Sequence, residues 1–201
     1  MKTKVIVFAV AMLGLNFVNA NELYLDQSGD SATINITQDG QDNRIGTQLN
    51  PIIIYGDAVT ATINQTGSSN ELNMVVNGAA AAVTLNTTGN TNVQTITCGT
   101  QGSAGCSGAT ITTTIQGDNN TVVQSLGSAG NQRSVIDITG DYTNVTHNAT
   151  GGSHKADITV QSLATSGAAN NITVSQSGAV MQQSVINASG SGITLNVTQQ
   201  P

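Results

Sequence analysis

Eleven carboxylates, three lysines, two arginines, two histidines and two cysteines hold most of the reactive chemistry of this 201-residue chain. Their spacing offers little to a reaction. His147 and His154 have no cysteine at metal-ligand spacing. His147 falls in a stretch of mixed polarity and His154 beside Gly151-Gly152, so both read as ordinary strand or turn surface. No serine has the setting of a nucleophile elbow, and the Gly-Gly-x-Gly-x-Asp calcium repeat is absent. A lyase or hydrolase needs carboxylates or basic residues clustered in a cleft, and the five basic residues are too few. The expectation is a protein that is not an enzyme and carries no cofactor or metal. What recurs is amide chemistry. "INITQDGQDN" (34–43) alternates apolar and polar residues and then sets Gln38, Gly40 and Asn43. "INQTGSSN" (63–70) repeats them as Gln65, Gly67 and Asn70. A side-chain amide both donates and accepts, so at a fixed offset from a turn glycine it satisfies strand-end N–H and C=O groups.

The elements that hold those amides follow a leader. Lys2 and Lys4 precede a mostly apolar run from Val5 to Val18, and Val18-Asn19-Ala20 is a small-residue cleavage site. Residues 1–20 therefore read as a secretory signal peptide cut after Ala20, too short to anchor the chain across a bilayer. Residues 21–201 form one repeat domain. They contain no Phe or Trp, and three basic residues against eleven acidic ones give a net charge of −8. Such a surface repels nucleic acid and anionic membrane. Low charge with abundant Gly, Ser, Asn and Gln suggests disorder, but the strict alternation of Ile, Val and Leu argues for strands. In an exported chain, Cys98 and Cys106 flanking "GTQGSAG" form a local disulfide.

Turn glycines mark the repeat. Gly29 and Gly40 are 11 residues apart, as are Gly56, Gly67, Gly78 and Gly89 in succession. Every second turn reads Gly-x-x-Asn: Gly40 to Asn43, Gly67 to Asn70, Gly89 to Asn92, Gly117 to Asn120 and Gly167 to Asn170. Gly140 to Asn144 looks like the same turn with one residue added, while the turns at Gly29, Gly56, Gly78, Gly151 and Gly178 lack the Asn. The unit is thus two strands and two unlike turns. An all-β solenoid of about seven coils of about 22 residues, two strands per coil with cross-β stacking, is the predicted fold. Predicted inward residues include Ile34, Ile36 and Gln38, Leu72, Met74 and Val76, and Ile172, Val174 and Gln176, with Gln176 and Gly178 repeating the Gln-x-Gly of the first corners. Outward residues read Thr33-x-Asn35-x-Thr37 and Thr110-x-Thr112-x-Thr114, alike on both faces. "QLNPIIIYG" (48–56) and the Cys98–Cys106 loop read as insertions at turns without Asn, and Ile52 to Tyr55 as an exposed apolar patch or a short extra strand.

These residues resemble the curlin repeat of bacterial curli fimbriae, whose pattern runs Ser-x5-Gln-x-Gly-x2-Asn-x-Ala-x3-Gln. Gln38, Gly40, Asn43 and Gln65, Gly67, Asn70 match its centre. The Ser position holds Ala32 or Val59, the Ala position Ile45 or Leu72, and the last Gln position Leu49 or Val76. The resemblance implies a secreted subunit of a functional amyloid fibre serving adhesion or biofilm matrix. Its implied partners are further copies of itself, a paralogous subunit or nucleator, and an outer-membrane export pore. Where that family carries a Gly- and Asn-rich leader segment, "ELYLDQSG" follows the cleavage site directly.

The pattern also predicts how copies meet. The stretches 22–27 and 193–199 alternate like the interior ones, so both ends present bare strand edges to another copy. Asp30, Asp57, Asp118 and Asp141 directly follow turn glycines, either as gatekeepers against association or as ordinary turn chemistry. The alternative is a monomeric surface-binding or ice-binding solenoid, for which Asn35, Asn64, Asn86 and Asn196 interrupt the outward threonines.

Overall fold

The computed structural model describes residues 6–10, 22–40, 42–49, 51–67, 69–89, 91–99, 106–117, 119–128, 130–140, 142–161, 170–178, 182–190 and 192–201. Gly167, Asp118, Asp141, the cleavage site at Ala20 and the body of the Cys98–Cys106 loop lie outside them. The described residues form strands and turns and no helix. In chain order the strands are β1 (Ile6–Val10), β2 (Glu22–Leu23), β3 (Asp26–Ser28), β4 (Thr33–Asp39), β5 (Arg44–Ile45), β6 (Ile52–Tyr55), β7 (Thr60–Thr66), β8 (Glu71–Asn77) and β9 (Ala82–Thr88). They continue as β10 (Val93–Cys98), β11 (Thr110–Gln116), β12 (Thr121–Ser128), β13 (Gln132–Thr139), β14 (Asn144–Gly151), β15 (His154–Gln161), β16 (Asn171–Ser177), β17 (Gln182–Ser189) and β18 (Thr194–Gln200).

Two parallel sheets face each other. The first stacks β1, β4, β7, β9, β11, β13, β15 and β17. The second stacks β2, β5, β8, β10, β12, β14, β16 and β18, with β3 and β6 completing the first coils. The chain crosses from one sheet to the other at every corner, which gives a β-solenoid of about 7 turns. Stacked residues lie 22, 23, 27 or 28 apart. Unequal coils still stack in register because the extra residues leave the ladder.

Alternation determines the core. Strand residues of period two send every other side chain inward, and Ile34, Ile36, Leu72, Met74, Val76, Val83, Leu85, Ile172 and Val174 are each at most 1% exposed. Burying an aliphatic side chain of this size stabilises the fold by about 1.5–3 kcal/mol, and slender side chains suit sheets about 10 Å apart. The disulfide joins Cys98, the last inward residue of β10, to Cys106 at the next corner, with Cα atoms 5.7 Å apart.

The structure corrects several readings. The residues 46–51 do not project from a turn. Ile45 pairs with Leu72 and Ile52 with Met74, so the insertion bulges from the middle of a strand opposite Asn73. Gly46 sits there with φ 64°, where a Cβ would lie 2.5 Å from the Asn73 carbonyl oxygen. Ile52 and Ile54 fill the core, and only Ile53 and Tyr55 face solvent. The stretch 22–27 is split into β2 and β3. The corner after Gly140 has no added residue. Asn120 pairs forward to Thr143, since Thr121 stands opposite Asn144. Thr143 is fully buried in the Asn slot, while Asn144 opens β14 facing outward.

Candidate assembly interface

Four corners share one geometry. The Nδ2 of Asn43, Asn70, Asn92 and Asn120 donates to the carbonyl of Gly40, Gly67, Gly89 and Gly117, at 2.8, 3.3, 3.2 and 2.6 Å. Each Asn is buried, so the amide closes the turn from inside. At two corners the amide oxygen reaches the neighbouring coil: Asn120 Oδ1 accepts from the Asn92 backbone N–H at 3.4 Å, and Asn170 Oδ1 from that of Thr143 at 2.7 Å, whereas those of Asn70 and Asn92 find no partner among the described residues. Beside this column, Gln65 Nε2 donates to Gln38 Oε1 at 3.1 Å and to the Glu71 carbonyl at 3.2 Å. Gln38 Nε2 donates to the Arg44 carbonyl at 3.3 Å. At the far end Gln199 Nε2 donates to Gln176 Oε1 at 2.9 Å. The repeated amides therefore close four of the corners and join coils at Gln38–Gln65, Asn92–Asn120, Thr143–Asn170 and Gln176–Gln199.

The glycines serve stacking as well as turning. At Gly67 (φ 141°) and Gly89 (φ 152°) a Cβ would fall 1.7 and 1.6 Å from the carbonyl oxygen of the glycine one coil below. Gly178 stands over Gly151 in the same manner on the other corner. At Gly40 a Cβ would meet, among the described residues, nothing nearer than the Asn43 side chain, at 3.5 Å. Asp30 and Asp57 follow the turn-chemistry account. Asp30 Oδ1 accepts the Asp57 backbone N–H at 3.1 Å and Asp57 Oδ1 that of Ala79 at 2.7 Å, one coil to the next.

The histidines overturn the surface reading. His147 is fully buried and His154 is 2% exposed. His147 lies on β14 between the inward residues Val145 and Ala149, stacked on Gln124 and Val174. Neither ring nitrogen of His147 has a hydrogen-bond partner. Burial, with a smaller contribution from His154, holds its pKa down to about 4, and burial lowers that of His154 too. Alternation from Val145 was the signal that could have found His147. Neighbouring coils carry other inward polar groups: Gln94 donates to Thr87 Oγ1, Gln124 to Thr113 Oγ1 at 3.0 Å, and Ser134 to Gln124 Oε1. No three His, Cys, Asp or Glu side chains come together among the described residues.

The two outer faces also differ, against expectation. On the first sheet, β4, β7, β9 and β11 present mainly Thr and Asn, with Asp39 and Ala82 among them, whereas β13 and β15 carry Arg133, Asp137, Lys155 and Asp157. The second sheet reverses this order. Glu22, Arg44 and Glu71 form an ion-pair column at 3.7 and 3.5 Å on its first strands, and β10 to β18 display uncharged Thr, Asn, Ser and Val.

The ends complete the site. Ile172 and Val174 are fully buried, but Leu195 and Val197, their stacked partners on β18, are 48% and 45% exposed. Among the described residues, β17, β18 and, at the other end, β2 each have one unpaired edge. At that end the first-sheet edge of the uncleaved chain is paired, β1 lying against β4. Comparison with protein-family models, with curated proteins and with solved structures gave no match.

Proposed function

We propose that the chain is an exported, non-enzymatic subunit that stacks end to end with copies of itself into a curli-like fibre for adhesion or biofilm matrix. The observation that supports this reading most is the match between its two ends. Leu23, Ile45, Leu72 and onward to Ile172 and Leu195 form one inward column. Continuing the register, Leu23, Leu25 and Gln27 of a second copy would fall on Leu195, Val197 and Gln199, apolar on apolar and amide on amide. The joint would cover the half-exposed Leu195 and Val197 and extend both ladders. Because the two ends are unlike, the association is head-to-tail and does not close. A paralogous subunit sharing the register is accepted by the same edges, and the curlin resemblance of the Gln38 and Gln65 corners supplies the export-pore partner.

The test is to incubate chain starting at Asn21 under native conditions, with thioflavin fluorescence and electron microscopy as readouts. Fibres with a cross-β spacing of about 4.7–4.8 Å are expected, and a persistently monomeric β-rich protein overturns the reading. The uncharged Thr and Asn panels favour one second reading, a surface- or ice-binding solenoid. Thermal hysteresis from a monomer would support it.

A further inference from the structure

β1 pairs with β4 in parallel, Ile6 opposite Thr33 through Val10 opposite Thr37. Thr33 in turn stands opposite Thr60, so both pairs are separated by the same stretch of chain, and β1 occupies the place of a preceding coil. In an end-to-end joint that place belongs to another strand. Lys155 stacks on Gln183 within one copy, and the next step of the register sets Gln183 of one copy opposite Thr33 of the following one. β1 and the β17 of a neighbouring copy therefore require the same row of backbone groups on β4. β1 also comes from the apolar run read above as the export signal.

The geometry points to an autoinhibitory role for this contact: in the uncleaved chain β1 caps the β4 edge against a second copy, and removal of residues 1–20 uncovers it. The inference rests on the end-to-end reading. A backbone edge already paired has no free N–H and C=O groups for an incoming strand, so the block needs no side-chain specificity. It is also one-sided. β17 and β18 remain open in the uncleaved chain, which can still seat on the N-terminal face of a growing fibre. Once seated, it presents its own capped face and growth at that end stops. The uncleaved chain is thus a terminator rather than a bystander, and leader removal, which accompanies export, sets where extension starts.

The experiment uses sheared fibres of the chain from Asn21 as seeds. Full chain Met1–Pro201 alone is expected to extend them about tenfold more slowly or worse than the cleaved chain, because each chain that seats through β17 and β18 leaves a capped β4 to the next. A substoichiometric amount mixed with cleaved chain should lower the extension rate of the mixture. The full-length V7P/F8P variant keeps an apolar leader, but its prolines remove ladder donors in both alternations of β1. It should extend at the rate of the cleaved chain. Full chain extending as fast as cleaved chain overturns the cap, and so does a V7P/F8P chain that stays as slow as the unsubstituted one. Failure of the cleaved chain itself to extend seeds overturns the fibre reading and the cap with it. A direct measurement separates the two. Amide exchange at 33–37 in monomeric full chain should be slower than in monomeric cleaved chain and V7P/F8P, and equal protection overturns the contact whatever the fibres do.

Discussion

An interior coil and the last coil carry the same pattern with opposite consequences. Leu72 and Met74 on β8 are 1% exposed, whereas Leu195 and Val197, at the same register positions on β18, are nearly half exposed. The side chains are equally apolar and the strands equally regular. The difference is a neighbour: β8 lies between β5, β6 and β10, and β18 has β16 on one side only. In a solenoid each coil is completed by the next, so the last coil leaves its apolar side chains half covered. The corner glycines differ as well: a Cβ at Gly67 would meet the Gly40 carbonyl at 1.7 Å, and one at Gly40 would meet nothing among the described residues nearer than the Asn43 side chain at 3.5 Å.

Substitutions at paired positions test this contrast. The largest effect is expected at the glycines. Gly67→Ala drives a Cβ into backbone at 1.7 Å and should cost about 3 kcal/mol or more in denaturant unfolding of the monomer. Gly40→Ala keeps only the strain of its φ of 135°, about 1–2 kcal/mol, yet should block fibre extension because a second copy would bring a carbonyl beneath it. Equal unfolding costs at the two sites would break the contrast. Next come the leucines. Leu72→Ala should cost about 2–5 kcal/mol, and Leu195→Ala, half exposed, about 1 kcal/mol in the monomer with a slower seeded extension.

Acid sharpens the contrast from inside the stack. His147 has a pKa lowered from 6.5 to about 4 by burial, so the unfolded chain takes up its proton first as pH falls. Stability should be flat above pH 6.5, decline through the interval down to about 4 by roughly 3 kcal/mol, and then show no further contribution from this group. His147→Leu should remove the larger part of that slope and leave the part due to His154, whose pKa burial also lowers, as read from denaturation midpoints across the pH range. An unchanged slope would mean that the buried imidazole is not the acid-sensitive element.

Much of this was legible in the chain. Alternating Ile, Val and Leu name the inward face of every strand because period two admits no other assignment, and the recurring glycines give the corners. Gln38, Asn43, Gln65 and Asn70 could be read as turn-closing amides from their fixed offset alone. What was misread depended on register between coils. Asn144 looked like the corner Asn because residue type was weighed over position, and the Thr121–Asn144 pairing hands that slot to Thr143. The stretch 48–56 looks like a turn insertion because it ends at Gly56, and only the pairing of Ile45 and Ile52 with Leu72 and Met74 shows that the ladder is interrupted between 45 and 52 instead. His147 looked exposed because imidazole is usually wet, and its place between Val145 and Ala149 was not weighed.

The sequence by itself determined the class of fold, the two-strand coil, the inward residues and the corner amides, all of which follow from local periodicity and the hydrogen-bonding capacity of single side chains. The tertiary structure alone decided which glycine lies over which carbonyl, that the charged and uncharged panels occupy opposite halves of the two sheets, that His147 stacks on Gln124 and Val174, and that β1 covers β4. Each of those is a relation between residues a whole coil apart. The length of a coil varies from one to the next, so the relation is set by the stacked ladders rather than by any spacing along the chain.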